Sequence, residues 1–348
     1  MAGENNMLKT VRVEDAIGRV LAHDVTEVRQ GEFKGRAFKK GHLIRRADVC
    51  HLQRLGKANI YVLELKTGWL HENDAAVSMA GAFCGPGVTR QGEPREGRVN
   101  LIAERDGLLK VAVNLLAKIN TLSDVVCATR HTNTMVRKGE VVAATRTIPL
   151  VIEADTVDQV VSIAQAGLGV VQVKPLRRAN TGLVITGNEV FTRLIEDRFE
   201  AVLRHKIDRI GSAVVGVAFA PDDPQVIADE IQALMASGAD LILTTGGMSV
   251  DPDDVTREGI RMAGGRPYTY GAPVLPGAMI MTAQIDNVPI LGVPACGLYH
   301  ETTILDLLLP RTLAGETVTP ADLAEMGHGG LCLNCDSCRY PVCPFGKQ

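Results

Sequence analysis

Three things are missing from this chain of 348 residues: a dominant charge of one sign, an apolar run of membrane-spanning length, and a basic start leading into an apolar core. Net charge is −3 with both signs well mixed, which excludes a nucleic-acid-binding stripe and a basic membrane face. Neither nucleic acid nor membrane is therefore an expected partner. Met-Ala-Gly-Glu-Asn-Asn at the amino terminus has no signal-peptide character, so a soluble cytoplasmic protein is expected. The length exceeds one ordinary core and predicts two or three domains.

What the chain does contain is concentrated between Leu241 and Thr256, where an apolar run opens into a glycine pair, a hydroxyl and clustered carboxylates. Leu241 to Leu243 read as a strand buried on both faces. Gly246 and Gly247 let bare backbone approach a ligand without a Cβ in the way. Ser249 adds a hydroxyl, and Asp251, Asp253 and Asp254 put three carboxylates within four residues, before helical periodicity resumes near Asp254. An ordinary tight turn explains the glycines alone. Three acids exceed what one helix cap requires, and they are also the hard oxygen donors that magnesium takes.

The surrounding sequence alternates. Leu183–Ile185, Ala213–Phe219 and Leu241–Leu243 read as strands, while 190–210 and 226–235 carry apolar residues at helical spacing. The predicted fold class is α/β, a parallel sheet with helices on both faces, beside an amino-terminal α/β unit and a β-rich subdomain. Ligands bind outside the carboxyl ends of such strands, where Glu189, Asp222, Asp223, Gly246 and Asp254 all fall. Asp222 and Asp223 have a plainer reading as an N-cap for a helix starting at Pro224, and Glu189 as a solvated helix-start acid.

Thr245-Gly-Gly-Met-Ser-Val-Asp-Pro-Asp-Asp-Val-Thr256 resembles the signature loop of the molybdopterin-binding domain family, which includes molybdopterin adenylyltransferases and the gephyrin-related molybdopterin molybdotransferases. Gly182-Leu-Val-Ile-Thr-Gly-Asn-Glu-Val190 resembles the family's first strand and acidic turn, and Ala220-Pro-Asp-Asp-Pro224 its paired-aspartate turn. The resemblance covers residues 178–315. It implies that adenylated molybdopterin is bound by Gly187, Thr245, Gly246, Gly247, Ser249, Asp253, Pro276 and Gly277. It also implies that Glu189, Asp222, Asp223 and Asp254 hold Mg2+ or position molybdate (or tungstate) and water, so that the metal enters the dithiolene as AMP is released. A homodimer is implied too, with a molybdoenzyme or an upstream biosynthetic enzyme as a further partner. The alternative is a non-catalytic carrier or accessory protein for the finished cofactor. Departures from the family pattern are Leu275-Pro-Gly-Ala-Met279, where a lysine usually follows the glycine, and Gly292-Val-Pro-Ala-Cys-Gly-Leu298, where a glycine-asparagine-proline turn is usual. The serine and asparagine usual after the first acidic turn are replaced as well, in Gly187-Asn-Glu-Val-Phe-Thr-Arg193.

Around this domain we expect an amino-terminal α/β unit over 1–65, a β-rich subdomain over 66–150, and a connector over 151–177. Val13–Asp24 reads as a short helix leading to a strand and resembles the opening of the molybdotransferases. His71-Glu-Asn-Asp74 and Thr129-Arg-His-Thr-Asn133 carry titratable side chains with two readings: reach into the sheet site or that of a partner subunit, and plain loop polarity, which is the favoured one. Residues 316–348 form a cysteine-rich tail, standing where the family's carboxyl-terminal β domain would begin. Four of eight cysteines, Cys332, Cys335, Cys338 and Cys343, fall within twelve residues there, and metal ligation is the expected use. The spacing of the first three suits an iron–sulfur cluster, and four thiolates suit Zn2+ as well. Cys50, Cys84, Cys127 and Cys296 are expected to be small buried hydrophobes.

Overall fold

The computed structural model describes residues 8–29, 33–63, 67–249, 251–252 and 254–347. The chain gathers into two units. The first holds residues up to 104, 111–130 and 138–172, and the second holds 105–110, 131–137 and 173 onward. Among the described residues no helix is long and apolar enough to cross a membrane.

In the first unit, Leu8–Arg12 pairs antiparallel with Asn59–Leu63, and Val25–Arg29 with Phe33–Phe38. Val13, Leu21, Ile44, Leu52 and Ile60 close a small core between them. The expected opening helix is only a short 3-10 turn, Val13–Ala16. Strands Val88–Arg95, Arg98–Ala103, Val141–Thr147 and Val125–Thr129 form an antiparallel sheet in that spatial order. The 66–150 segment is not strand alone, because Glu72–Phe83 is a helix that buries Ala75, Ala76, Met79, Ala80 and Phe83. His71 is likewise no loop residue. It is fully buried, its Nε2 2.6 Å from the Ala22 carbonyl, while its Nδ1 accepts from the Asn73 N–H. Cys50 departs from expectation as well: it lies exposed on helix Arg46–Arg54, whose buried contact is Leu52.

The second unit contains the sheet that matters for function. Its strands are β1 (Asn180–Thr186), β2 (Ala213–Ala220), β3 (Leu241–Thr245), β4 (Arg266–Tyr270), β5 (Met281–Ile285) and β6 (Val288–Val293), in spatial order β2-β1-β3-β6-β5-β4. The first four in that order run parallel, and β5 and β4 add an antiparallel edge. Helices α1 (Asn188–Phe191), α2 (Phe199–Arg209), α3 (Pro224–Ala236), α4 (Thr256–Met262) and α5 (Ile304–Leu313) complete it.

Alternation along the strands divides the core into two layers. Val184, Ile242 and Ile290 meet Ile227, Ile231 and Ile260 of α3 and α4 on one face. On the other, Leu183, Leu241, Leu243 and Leu291 meet Leu203 and Ile207 of α2 and Leu305 and Leu309 of α5. Every residue of β3 is buried, as its apolar run requires.

One helix is not as expected. The 190–210 pattern is broken into α1 and α2 because Arg193 takes a left-handed φ of 59° and Asp197 caps the second piece through the Phe199 and Glu200 N–H groups. Leu194 and Ile195 consequently stay exposed. The helix expected near Asp254 begins at Thr256 instead and is seven residues long.

Candidate functional site

The parallel strands β1, β2, β3 and β6 deliver their carboxyl ends to one rim. There a hollow of about 400 Å³ is lined by Thr186, Gly187, Asn188 and Glu189 after β1 and by Asp222 after β2. Gly246, Gly247, Asp251, Pro252 and Asp254 after β3 complete the lining. Three segments far apart in the chain thus meet at one place, as parallel-sheet geometry demands.

The glycines are there for steric reasons. A Cβ on Gly246, whose φ is +75°, would lie 2.6 Å from the Thr186 carbonyl oxygen, and one on Gly247 (φ +54°) would lie 2.3 Å from Thr256 Oγ1. No side chain larger than hydrogen fits either position. Beneath them Thr186 Oγ1 donates to the Thr245 carbonyl at 2.6 Å and stands 3.0 Å from Thr256 Oγ1. This buried hydroxyl pair ties the end of β1 to the signature loop and to α4. Sequence reasoning missed Thr186 and Thr256, since a threonine at a strand end or helix start carries no motif by itself.

The acids are held in different ways. Asp222 Oδ2 accepts from the Asn188 N–H at 2.9 Å, and Asn188 Oδ1 accepts from the Asp222 N–H at 3.2 Å, so the two turns clasp each other. Asp254 Oδ2 accepts from the Asp251 N–H at 3.0 Å, which closes the acidic loop on itself. Glu189 is exposed at the rim, and a Cβ on Gly187 would approach its carboxylate to 3.0 Å. Asp223 does not line the hollow. Its Oδ1 accepts from the Gln225 and Val226 N–H groups and caps α3, the plainer of the two roles considered above. Asp253 lies outside the described residues.

The remaining expected ligands stand apart from this hollow. Thr245 is wholly buried, and among the described residues its Oγ1 has no hydrogen-bond partner. Ser249 lies beyond the lining, its carbonyl accepting from Arg257 at 3.4 Å. Pro276 and Gly277 pack on the start of α5, where the Pro276 carbonyl accepts from the Ile304 N–H. A Cβ on Gly277 would meet Ile304 Cγ2 at 2.5 Å. Their loop reaches the signature loop only indirectly. Tyr270, just before it, donates its hydroxyl to the Met248 carbonyl at 2.5 Å and lies under the Arg257 guanidinium, 4.3 Å from the ring centroid.

No lysine, arginine or histidine is among the described residues that line the hollow. Nor does any group of three or more His, Cys, Asp or Glu stand close enough to hold a metal ion, among the described residues. That donor set fits magnesium in its usual manner, one or two carboxylates completed by substrate phosphates and water, and not as a closed protein cage. The tail cysteines share a different hollow, of about 470 Å³, without converging as a ligand set. Burial pushes the Cys84 thiol up to about 11 and Cys127 up to about 12, so neither is a nucleophile at neutral pH.

A larger hollow, of about 840 Å³, belongs to the first unit and carries charges of both signs. Arg36 pairs with Asp24 at 2.8 Å and Thr26 donates to Glu96 at 3.0 Å there, so its polar groups largely satisfy one another. We take the smaller hollow as the site because bare backbone faces into it together with carboxylates that make no ion pair among the described residues.

Comparison with known proteins adds the following. Residues 182–314 match a family described as a probable molybdopterin binding domain, and residues 10–64 match a domain of unknown function. A protein of Archaeoglobus fulgidus is 36% identical over 92 residues, covering 26% of this chain and 40% of its own length. A CinA-like protein of Thermosipho melanesiensis is 33% identical over 88 residues, covering 25% of this chain and 22% of its own length. The chain therefore spans less than half of these curated relatives. Among solved structures, the molybdopterin biosynthesis MoeA protein of Pyrococcus horikoshii aligns over 88% of this chain and 75% of its own, at 14% identity and a TM-score of 0.33. The molybdopterin biosynthesis enzyme MoaB of Thermus thermophilus aligns over 40% and 98%, at 18% identity and a TM-score of 0.32.

Proposed function

With residues 182–314 forming a domain of the molybdopterin-binding family, we propose that the protein binds adenylated molybdopterin at the glycine-acid hollow and inserts molybdate or tungstate into it with release of AMP. The observation that carries this reading is the meeting of Gly246 and Gly247 with Glu189, Asp222 and Asp254 around one hollow. Backbone at the two glycines is open to a pyrophosphate. The acids alone would repel that anion, so this reading calls for a divalent cation, which would offset their charge. One or two of Glu189, Asp222 and Asp254 would hold it, with phosphate oxygens and water completing its shell. Bound Mg2+ would neutralise the phosphate oxygens and so favour departure of the nucleotide.

The chain's own contribution is positioning. The Asn188–Asp222 clasp sets where the Asp222 carboxylate points, and the Asp254–Asp251 closure does the same on the opposite side of the hollow. The Thr186–Thr256 pair holds the glycine backbone flat against the end of β1. Catalysis in such a site is electrostatic preorganisation, with no protein nucleophile required. Thr245, Ser249, Asp253, Asp223, Pro276 and Gly277 complete the proposed set. A homodimer and hand-over to a molybdoenzyme in the cytoplasm belong to the same proposal.

One observation favours a second reading. Leu275-Pro-Gly-Ala-Met279 supplies no cation, and Pro276 and Gly277 pack on α5, away from the hollow's lining. A carrier that binds the pterin without turnover would have this pattern, and the CinA-like relatives also allow a different role. Incubation with adenylated molybdopterin, magnesium and molybdate separates the two. AMP release that depends on molybdate identifies the transferase; pterin retention without AMP identifies the carrier; the absence of both sinks the proposed site.

A further inference from the structure

The tail is unlike the rest of the molecule. Among the described residues, Leu331 to Lys347 forms no helix and no strand, and its one sheet-like contact is the bridge of Leu331 to Leu275. The Cys332 N–H donates to the Leu275 carbonyl and the Leu275 N–H to the Gly330 carbonyl, both at 2.8 Å. Phe345 is buried against Val274, Ile280, Ile304 and Leu308, and Cys332, Tyr340 and Cys343 pack on the same cluster. Cys332 and Cys343 are thereby anchored, whereas Cys335 and Cys338 lie exposed between them. None of the four is in a disulfide, and all four line one hollow with Tyr299 and Thr302, whose Oγ1 is 3.2 Å from Cys338 Sγ. A segment ordered with so little core and no regular backbone pairing is the kind that natural proteins staple covalently or with a metal.

Sheet topology gives the staple a location. β4 runs antiparallel to β5 and β5 antiparallel to β6, so the 271–280 connection emerges at the rim where β1, β3 and β6 end. The 294–303 loop leaves that rim after β6. The tail sits on both loops, through Leu275 and through Thr302. Two of the three departures from the family pattern, Leu275–Met279 and Gly292–Leu298, fall in or next to these loops.

We propose that Cys332, Cys335, Cys338 and Cys343 bind one tetrathiolate metal centre, which fastens the tail to the 271–280 and 294–303 loops. The four thiols share one hollow without standing together as a ligand set, so binding requires the exposed pair to move in beside the anchored pair as the thiols give up their protons to solvent. The inference does not rest on the pterin reading.

Full-length protein prepared without oxygen is reconstituted in parallel with ferric iron, sulfide and dithiothreitol as the reductant, and with zinc alone. The expected result is one centre per chain in one arm: roughly four irons with four sulfides and visible absorption, or roughly one zinc. Cys335→Ser and Cys338→Ser lose the metal while keeping the wild-type circular dichroism, because both positions are exposed. Cys50→Ser retains it. Hydrogen exchange at 271–280 and 294–303 slows on metal loading. Failure of both arms to load metal overturns the proposal, as does retention in a Cys335→Ser, Cys338→Ser double variant or recovery of the tail thiols as disulfides. Loading that leaves both loops' exchange unchanged overturns the fastening.

Discussion

At Gly247 the chain leaves no choice of residue, because a methyl group there would overlap Thr256 Oγ1 and the backbone φ is left-handed. Gly247→Ala is expected to lower stability by about 1–3 kcal/mol and to displace the loop, read as a lower urea midpoint together with lost pterin binding. Asp254 is a different kind of position. An amide oxygen can still accept from the Asp251 N–H, so Asp254→Asn should leave the melting temperature nearly unchanged and cut magnesium-dependent turnover about 10- to 100-fold. An unchanged rate would remove Asp254 from the proposed site. In the first unit, burial pushes the Glu72 carboxyl up to about 7 from its ordinary 4.5, an effect that the nearby Arg146 charge only partly offsets. A folded pKa above the unfolded one means that the protonated form favours the fold. Glu72 therefore stabilises fully below about pH 4.5, and that contribution is lost as pH rises through about 7. Chemical unfolding followed across this window should show the decline, and Glu72→Gln should flatten it.

Among the elements, α2 and α5 depend on one buried cation. Lys206 Nζ donates to both Asp306 carboxylate oxygens, at 2.7 and 2.8 Å, and to the Glu301 carbonyl at 2.7 Å. Asp306 also closes the capping box at the start of α5. Lys206→Ala strands a carboxylate in a poorly solvated place and should cost about 3–5 kcal/mol in unfolding measurements. The element boundaries show what was legible in the chain. β3 could be read from Leu241–Leu243 because a strand buried on both faces has to be uniformly apolar. The break between α1 and α2 could not, since Leu194 and Ile195 keep the apolar spacing of a helix while Arg193 and Asp197 end and restart it.

Over the whole molecule the proposed reaction needs its ion at the acid-lined hollow. Chelation with excess EDTA should abolish molybdate-dependent AMP release, and added magnesium should restore it; release that persists under chelation would show that the acids do not work through a metal. The pairing of glycine backbone with carboxylates was readable beforehand because both lie at strand ends, and parallel strands bring their ends to one rim. Asp223 shows the limit of that logic. It is adjacent to Asp222 in sequence, yet only one of the two faces the hollow, because the other is consumed by the α3 N-terminus.

Composition, strand-and-helix alternation and the Thr245–Thr256 loop determined the α/β class and where its rim would lie, since each depends on local order along the chain. Which acids face one another, the clasp of Asn188 with Asp222, the threonine pair beneath the glycines and the seating of the cysteine tail on two rim loops were decided by tertiary structure alone. The physical reason is that each joins residues distant in sequence, and such distances are set only when the sheet is paired and both of its faces are packed.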